Sequence, residues 1–206
     1  MSAFWMPALA GLLTGAGLII AIGPQNVFVL RQGVRRAHVA QVVAVCAVSD
    51  VVLITAGVAG LGALVSAHPA LITVATLLGG AYVIVLGLMA AKRSLRSGTG
   101  MATDTGEAAT TSRWMAIGTA LALTWLNPHV YLDTVLTMGA IANGHGNGKW
   151  AFAIGACVAS ILWFTILGGG SRRMAPLFAK PRAWRILDAV VAVIMIGMGA
   201  ALIASV

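Results

Sequence analysis

The stretch RQGVRRAHVAQVVAVCAVSDVVLITAGVAGLGA, residues 31–63, joins a cluster of three arginines to a long apolar segment that contains one carboxylate, Asp50. The apolar part, residues 38–63, is longer than the about twenty residues that a helix needs to cross a bilayer. A segment that crosses lipid must be helical, because lipid offers no partner for free backbone groups. The stretch therefore predicts a membrane-spanning helix with a basic end and an aspartate near its middle.

The basic residues elsewhere in the chain repeat this alternation. All of the thirteen Lys and Arg residues except Lys149 fall in three gaps between apolar stretches. The three clusters are Arg31, Arg35 and Arg36; Lys92, Arg93, Arg96 and Arg113; and Arg172, Arg173, Lys180, Arg182 and Arg185. Because the cytoplasmic loops of membrane proteins are enriched in Lys and Arg, these gaps are predicted to face the cytoplasm.

The composition excludes an ordinary soluble domain. The chain is 60% hydrophobic and 9% charged, whereas about 25% of the residues in a soluble domain are charged. The net charge of +8 does not indicate a nucleic-acid partner, because the cations alternate with apolar stretches instead of forming one basic face. We expect the basic gaps to set the orientation in the membrane and to contact anionic lipid headgroups.

Six apolar stretches predict an all-α fold, a polytopic membrane helix bundle with about six transmembrane helices. The stretches are residues 4–30, 38–63, 69–91, 114–142, 150–170 and 184–205. Six crossings place the basic gaps on one side, so both termini would face outside. In the alternative, the first stretch forms a re-entrant pair, which gives five crossings and a cytoplasmic N-terminus. The absence of Lys and Arg from residues 1–30 favours the outside N-terminus.

A small, polar segment, residues 93–113, is predicted to be a flexible cytoplasmic linker between two three-helix halves, 1–92 and 114–206. The first stretch of each half is interrupted by a proline. The second stretch of each half contains a matching step, CAVS at residues 46–49 and CVAS at residues 157–160. Three crossings per half invert the second half relative to the first. Secondary transporters are commonly built from such inverted repeats, and their substrate binds at the repeat interface.

Asp50 is the leading candidate for a functional side chain. It lies about a dozen residues beyond the first basic cluster, which at about 1.5 Å per residue places it near the middle of the bilayer. An ionisable group at that depth is costly and therefore indicates function. Its carboxylate could hold a cationic substrate, take up a proton, or do both in turn. Ser49 points to another helix face and is predicted to bond its own helix or a neighbour; Ser160 is its counterpart in the second half.

The two proline interruptions are candidate binding elements. A proline removes a backbone donor and breaks the helix. The amides downstream of the break then form a helix N-terminus, which favours an anion such as a carboxylate. The candidate substrate-binding residues at the two breaks are Gly23, Pro24, Gln25 and Asn26, and Asn127 and Pro128.

Three further polar residues have alternative interpretations. Asp133 lies further toward the external half, where it either lines an exit path or reaches water as an interfacial aspartate. His129 either relays a proton or fills the break with hydrogen bonds. Asp188 follows Arg185 by one turn, which predicts an i,i+3 ion pair near the cytoplasmic edge.

These motifs resemble those of the lysine/arginine exporter family of bacterial inner membranes, over nearly the whole chain except the linker. The matching segments are Ile22-Gly-Pro-Gln-Asn-Val-Phe-Val-Leu-Arg-Gln-Gly33, Val45-Cys-Ala-Val-Ser-Asp50, Leu123-Thr-Trp-Leu-Asn-Pro128, Tyr131-Leu-Asp133, Gly148-Lys-Trp150 and Ala159-Ser-Ile-Leu-Trp-Phe164. The Gly-Pro-Gln-Asn form followed by Arg-Gln-Gly resembles the basic amino-acid branch. The homoserine/threonine branch usually shows Pro-Gly-Pro-Asn. His129 departs from the small polar residue of many relatives, so no role is transferred to it.

The resemblance implies a multi-pass transporter of the bacterial inner membrane, not an enzyme. It implies export of L-arginine or L-lysine from the cytoplasm, driven by the proton gradient or the membrane potential, without a cofactor. Asp50 would face a substrate ammonium or guanidinium, and the breaks at Pro24 and Pro128 would bind the substrate carboxylate.

Alternatives remain open at this point. The substrate could be homoserine, threonine or a metal cation. A remote alternative from another class is an intramembrane enzyme using Asp50 and Asp133 as a carboxylate dyad, which would require the two groups to share a proton. Cys46 and Cys157 are expected to be small buried hydrophobes. Small-residue helix faces favour close helix contact and make a homodimer one candidate assembly.

Overall fold

The structure, a computed structural model, describes residues 2–21, 23–61, 69–95, 112–174, 176 and 180–204. The regular structure in these ranges is helical throughout, which confirms the all-α prediction. The helices are α1 (Ser2–Ile19), α2 (Pro24–Arg35), α3 (Val39–Ala56, followed by a π-helical turn Gly57–Leu61), α4 (Pro69–Leu95), α5 (Arg113–Trp125), α6 (Pro128–Tyr131, followed by a π-helical stretch Leu132–Thr137), α7 (Met138–Gly144), α8 (Lys149–Ser171, preceded by a 3-10 turn Gly146–Gly148) and α9 (Pro181–Ala204).

Proline determines where several helices begin. The first residues of α2, α4, α6 and α9 are Pro24, Pro69, Pro128 and Pro181. Proline fits the first turn of a helix because the missing N–H would have no partner there. In a helix interior its ring clashes with the preceding turn. Helices α1 and α5 end a few residues before Pro24 and Pro128, whereas Pro7 lies inside α1.

Four helical segments of the described chain are long and apolar enough to cross a membrane. They are Val39–Leu61, Thr76–Leu95, Gly146–Ser171 and Arg182–Ala204. Each overlaps one of the apolar stretches identified in the sequence. The chain is therefore a multi-pass membrane protein by the length and composition of its helices.

The other two apolar stretches are broken at the prolines, as predicted. Phe4–Ile19 and Pro24–Arg35 meet at an angle of 80°, as a broken span or a re-entrant loop. The stretch 114–142 is interrupted between Trp125, where α5 ends, and Pro128, where α6 begins. Counting the bent first pair as one span gives up to five crossings, so six crossings in two inverted repeats stay a prediction.

Helices α1 and α8 approach each other closely through glycine. A Cβ atom on Gly11 would lie 1.9 Å from the backbone oxygen of Phe152, and one on Gly155 would lie 1.9 Å from that of Ala8. The two helices therefore pack backbone against backbone, which only residues without a side chain permit at these points. The small-residue faces of α1 and α8 serve contacts within the chain, while a Cβ on Gly118 of α5 would meet no other described part of the chain within 4 Å.

Helices α4 and α9 form a second close pair. A Cβ on Gly80 would lie 2.9 Å from the backbone oxygen of Gly199, and one on Gly199 would lie 2.6 Å from that of Gly80. This pair meets the rest of the molecule mainly through α2 and α6, the segments that follow the two breaks. The molecule thus consists of the α4–α9 pair and a larger group built on α1, α3, α5 and α8.

The predicted ion pair between Asp188 and Arg185 is wrong. Asp188 is buried, whereas Arg185 is exposed one turn away on α9. The carboxylate pairs instead with Arg31 of α2 and with Arg93 of α4, whose Nε lies 3.3 Å from Oδ1. A buried carboxylate is stabilised by cations that reach it from neighbouring helices, and an exposed partner on the same helix cannot replace them.

The predicted linker, residues 93–113, lies mostly outside the described residues. Helix α4 continues to Leu95, and α5 begins at Arg113. The hydroxyl of Ser112 accepts a hydrogen bond from the backbone N–H of Trp114 and so caps α5. The division into halves 1–92 and 114–206 stays a prediction.

Candidate functional site

A central cavity lies where both helix breaks meet the middle of α3. Its empty space, the open mouth included, is about 670 Å³. Seven of the candidate residues line this central cavity: Gly23, Pro24, Gln25, Asn26, Asp50, Asn127 and Asp133. Helices α4 and α9 close one side of it with Val83, Met195 and Met198. The cavity therefore lies between the α4–α9 pair and the rest of the molecule.

Asp50 is buried at the wall of the central cavity. Only 3% of the residue is exposed, and its Oδ2 accepts a hydrogen bond of 2.8 Å from the hydroxyl of Ser160 on α8. No salt bridge joins it to a cation among the residues that the structure describes. A buried carboxylate with a single neutral donor lacks most of the partners that ionisation requires. The arrangement is suited to receiving a cation or a proton from the cavity.

Gln25 supplies an unpaired amide beside this carboxylate. The residue is 9% exposed and lines the cavity next to Asp50. Its Nε2 is buried and has no hydrogen-bond partner in the described part of the chain. Buried amide groups are rarely left unpaired without a reason, and a bound ligand is one such reason.

Asn26 has a structural role that the sequence did not indicate. Its Nδ2 donates to the backbone oxygens of Ile19, at 2.9 Å, and Ala21, at 2.7 Å. Its Oδ1 accepts a hydrogen bond of 3.2 Å from the indole of Trp163 on α8. Both donors of the amide are thereby occupied by the carbonyls that α1 exposes at its end. Asn26 holds the first break open and fastens it to α8.

The N-terminus of α2 opens into the central cavity without a side-chain cap. Gly23 occupies the N-cap position and makes no capping hydrogen bond, and Pro24 follows it. The free backbone N–H groups and the helix dipole of this end favour an anion. The first break is therefore a candidate carboxylate site.

The second break is already capped. The Oδ1 atom of Asn127 accepts a hydrogen bond of 3.2 Å from the backbone N–H of His129. The hydroxyl of Tyr131 donates to the backbone oxygen of Trp125 at 2.8 Å, which satisfies the end of α5. The indole of Trp125 in turn donates to Ser49 at 3.0 Å. The backbone groups of this break are thus partly used within the protein.

Ser49, Ser160 and Pro128 contribute to the site through their neighbours. Ser49 bonds a neighbouring helix, as predicted, by accepting the hydrogen bond from Trp125. Ser160 contacts Asp50 through its hydrogen bond. Pro128 is the first residue of α6 and so sets the position of the break.

Asp133 lies at the same cavity as Asp50, paired with His129. The Nε2 atom of His129 is 3.3 Å from Oδ2 of Asp133, one helical turn away, and the two side chains are 27% and 24% exposed. Both residues line the cavity. Asp50 bonds Ser160, and Asp133 bonds His129, so the two carboxylates have different partners and do not form a proton-sharing dyad. The sequence placed His129 at the break but did not identify Asp133, four residues later on the same helix, as its partner.

Comparisons with known proteins place the chain in a family of transporters. Residues 16–205 match the family described as LysE type translocator. A protein of Mycobacterium bovis, provisionally named an amino-acid transporter, is 48% identical over 181 residues, covering 88% of this chain and 89% of that protein. No solved structure matches the chain.

Two further relatives are named by their substrates. The lysine exporter LysE of Corynebacterium diphtheriae is 38% identical over 223 residues, covering 95% of this chain and 98% of that protein. The arginine exporter protein ArgO of Pectobacterium carotovorum subsp. carotovorum is 40% identical over 191 residues, covering 92% and 93%. These relatives are named as exporters and not as enzymes. By the family match and by identity over most of its length, the chain belongs to the LysE type translocator family.

Proposed function

We propose that the protein exports L-arginine or L-lysine from the cytoplasm across the bacterial inner membrane by alternating access. The observation that carries the proposal is one cavity that joins Asp50, Asp133 and the uncapped N-terminus of α2. The names of the lysine and arginine exporters among the relatives support the same substrates.

The charges around the cavity match those of a basic amino acid. Arginine and lysine carry two cationic groups and one carboxylate. The cavity presents two carboxylates, those of Asp50 and Asp133, and one helix N-terminus of positive potential. A neutral amino acid such as threonine or homoserine has a single cationic group and would pair with one of the two carboxylates, Asp133 having His129 as its partner in the absence of substrate. Electrostatic matching of this kind sets specificity, because an unmatched buried charge is costly.

The contacts around Gln25 suggest an orientation for the substrate. The amide of Gln25 lies beside both the N-terminus of α2 and the Asp50 carboxylate. A substrate carboxylate at the helix end would place the α-ammonium, on the same carbon atom, next to Asp50. The side-chain ammonium or guanidinium would then extend toward Asp133.

We propose six crossings in two inverted repeats as the frame for this cycle. If the halves are inverted copies, α1, α2, α3 and α4 correspond to α5, α6, α8 and α9. Each contact between two helices then has a counterpart between the two corresponding helices. The contact of α1 with α8 is matched by that of α5 with α3, and α2 with α9 is matched by α6 with α4. The α3–α8 and α4–α9 contacts map onto themselves. This reciprocity supports the inverted repeat, with the cavity at its interface.

The energy source proposed for export is the proton gradient or the membrane potential. Asp50 has no cationic partner among the described residues, so its carboxylate can accept a proton when the substrate leaves. An inside-negative potential opposes the outward movement of a cationic substrate, so concentrative export requires the inward movement of a coupling ion such as a proton, which the same potential drives. The basic gaps would contact anionic lipid headgroups on the cytoplasmic face. The assembly that we propose is a homodimer.

The decisive experiment is efflux of labelled arginine and lysine from loaded cells or vesicles, comparing wild type with Asp50→Asn. We expect concentrative export by the wild type and at least about a hundredfold loss in the variant. Thr55→Val is the matched control, because Thr55 lies on the same helix, is exposed, and donates its hydroxyl to the backbone oxygen of Val51. No movement of either amino acid by correctly inserted wild-type protein would refute the proposal and direct attention to threonine, homoserine and metal ions.

A further inference from the structure

The α4–α9 pair is joined to the rest of the protein at few places, and one of them is an ion-pair cluster. Asp188 of α9 is 6% exposed and contacts Arg31 of α2 and Arg93 of α4. The hydroxyl of Ser94 on α4 also donates to the backbone oxygen of Arg185 on α9 at 3.1 Å. Helices α4 and α9 are therefore fixed to one another at this end, independently of α2.

The two arginines make different connections. Arg93 and Asp188 lie on the two helices of one tightly packed pair, so their contact stays within that pair. Arg31 belongs to α2, and it reaches α9 twice, at the carboxylate of Asp188 and at the ring of Trp184, whose centroid is 5.6 Å from its guanidinium carbon. Arg31 is thus the charged side chain of this cluster that connects the α4–α9 pair with α2.

A vestibule lies between this cluster and the central cavity. It holds about 560 Å³ of empty space, its open mouth included, and Arg31 and Arg93 are among its lining residues. Pro24 and Met195 line both the vestibule and the central cavity. The vestibule and the central cavity are therefore neighbours, in contact at Pro24 of α2 and Met195 of α9.

We propose that the contacts of Arg31 with Asp188 and Trp184 form the cytoplasmic gate of the transport pathway, with Arg93 holding the Asp188 carboxylate in place. The proposal rests on the transport function proposed above, since a gate requires a pathway. The gate opens when α2 separates from α9, and it closes when Arg31 returns to the carboxylate. The ion pair stabilises the closed state, because a buried carboxylate that loses a cationic partner is destabilised.

The first test measures access to the pathway without using the substrate. A reporter cysteine, Met195→Cys, is placed in a background that carries Cys46→Ala and Cys157→Ala, and inside-out vesicles are treated with a membrane-impermeant thiol reagent. We expect Arg31→Gln to raise the labelling rate by about tenfold or more. Lys92→Gln is the control: Lys92 is an exposed cation next to Arg93, and its loss should leave the rate within about twofold.

Asp188→Asn provides a second variant should Arg31→Gln fail to insert, and the same increase is expected from it. Arg31→Lys retains the charge and should keep labelling close to the rate of the reporter background. Unchanged labelling in both Arg31→Gln and Asp188→Asn would overturn the gate.

The second test fastens the gate with a cleavable thiol cross-linker. In the same cysteine background, Arg31→Cys with Asp188→Cys links α2 to α9, whereas Arg93→Cys with Asp188→Cys links α4 to α9. We expect cross-linking of the first pair to abolish efflux of labelled arginine or lysine, and cleavage of the linker to restore it. Cross-linking of the second pair should leave efflux within about twofold of its uncross-linked rate, because that contact does not open.

The outcomes separate the gate from the transport function. Continued efflux through the protein cross-linked between α2 and α9 would refute the gate while leaving the exporter intact. Absence of efflux from the wild type would refute the exporter, and the labelling rates of the reporter cysteine would still decide whether Arg31 and Asp188 control access.

Discussion

The two helix breaks come from similar sequence, yet they present different chemistry to the central cavity. At the first break, Asn26 binds the carbonyls that end α1, and the N-terminus of α2 stays uncapped. At the second, Asn127 caps the following helix, and His129 pairs with Asp133. An asparagine near a proline therefore donates hydrogen bonds to backbone oxygens upstream of the first break, at Asn26, and accepts one from a backbone N–H downstream of the second, at Asn127. The first break is left as an anion site, and the second presents a carboxylate for a cation.

The helices that lead into the breaks differ even more, and replacing a glycine in each should have the largest effect. A Cβ on Gly11 of α1 would lie 1.9 Å from the backbone oxygen of Phe152, whereas one on Gly118 of α5 would have nothing within 4 Å. We expect Gly11→Ala to lower the free energy of unfolding by about 3 kcal/mol. Gly118→Ala should be neutral or stabilise the protein by up to about 1 kcal/mol. Thermal unfolding of both purified variants in detergent measures this, and equal melting temperatures would contradict the packing described for α1.

The asparagines of the two breaks should differ next in effect. Asn26→Ala leaves two backbone oxygens and the Trp163 indole without a partner, and we expect a loss of about 2–3 kcal/mol in stability. Asn127→Ala removes one helix cap, which typically costs about 1 kcal/mol. Unfolding of the two variants, measured side by side, gives the comparison. A larger loss from Asn127→Ala would mean that the second break, and not the first, depends on its asparagine for shape.

A negative charge added at each break tests which one receives the substrate carboxylate. Gln25→Glu places a carboxylate beside the uncapped N-terminus of α2, where it would compete with that of the substrate. We expect the KM for export to rise about tenfold, equivalent to about 1.4 kcal/mol. Asn127→Asp is the isosteric counterpart, and because aspartate caps a helix as well as asparagine does, it should not raise the KM. A rise in KM for Asn127→Asp alone would transfer the carboxylate site to the second break.

The smallest effect is expected from the hydrogen bond behind the second break. Ser49→Ala removes the acceptor of the Trp125 indole, which should lower stability by about 1 kcal/mol and leave substrate affinity unchanged. Trp125→Phe should lose the same hydrogen bond. In the double variant the two losses should not add, since each removes the same contact. Fully additive losses would show that Ser49 and Trp125 stabilise the break separately.

Much of the site could be predicted because it depends on depth and on local backbone chemistry. The distance of Asp50 from a basic cluster predicts a position near mid-bilayer, and Pro24 and Pro128 predict the two breaks that the structure shows. The structure brings Asp50 and both breaks to one cavity. These features follow from short-range rules that act within one apolar stretch.

The features that could not be predicted depend on contacts between residues far apart in the chain. The local sequence offers Asp188 only Arg185, yet its partners Arg31 and Arg93 come from two other helices. The structural role of Asn26 could not be predicted because its partner Trp163 lies on α8, far away in the chain. Small residues at Gly11 and Gly155 predicted close packing, but not that α1 and α8 would pack against each other. Side-chain partners at such separations are determined by tertiary packing.

The pairing of α1 with α8 and of α4 with α9 has a consequence for biosynthesis. Each of these main interfaces joins a helix made early to one made late, so the first helices leave the ribosome before their partners exist. The backbone at Gly11 remains exposed to lipid or to the insertion machinery until Phe152 has been synthesised. Folding must therefore finish after translation, and loops must close over more than half of the chain, a topology that slows folding. Truncating the protein after its first half would remove the partners of α1 and α4 together.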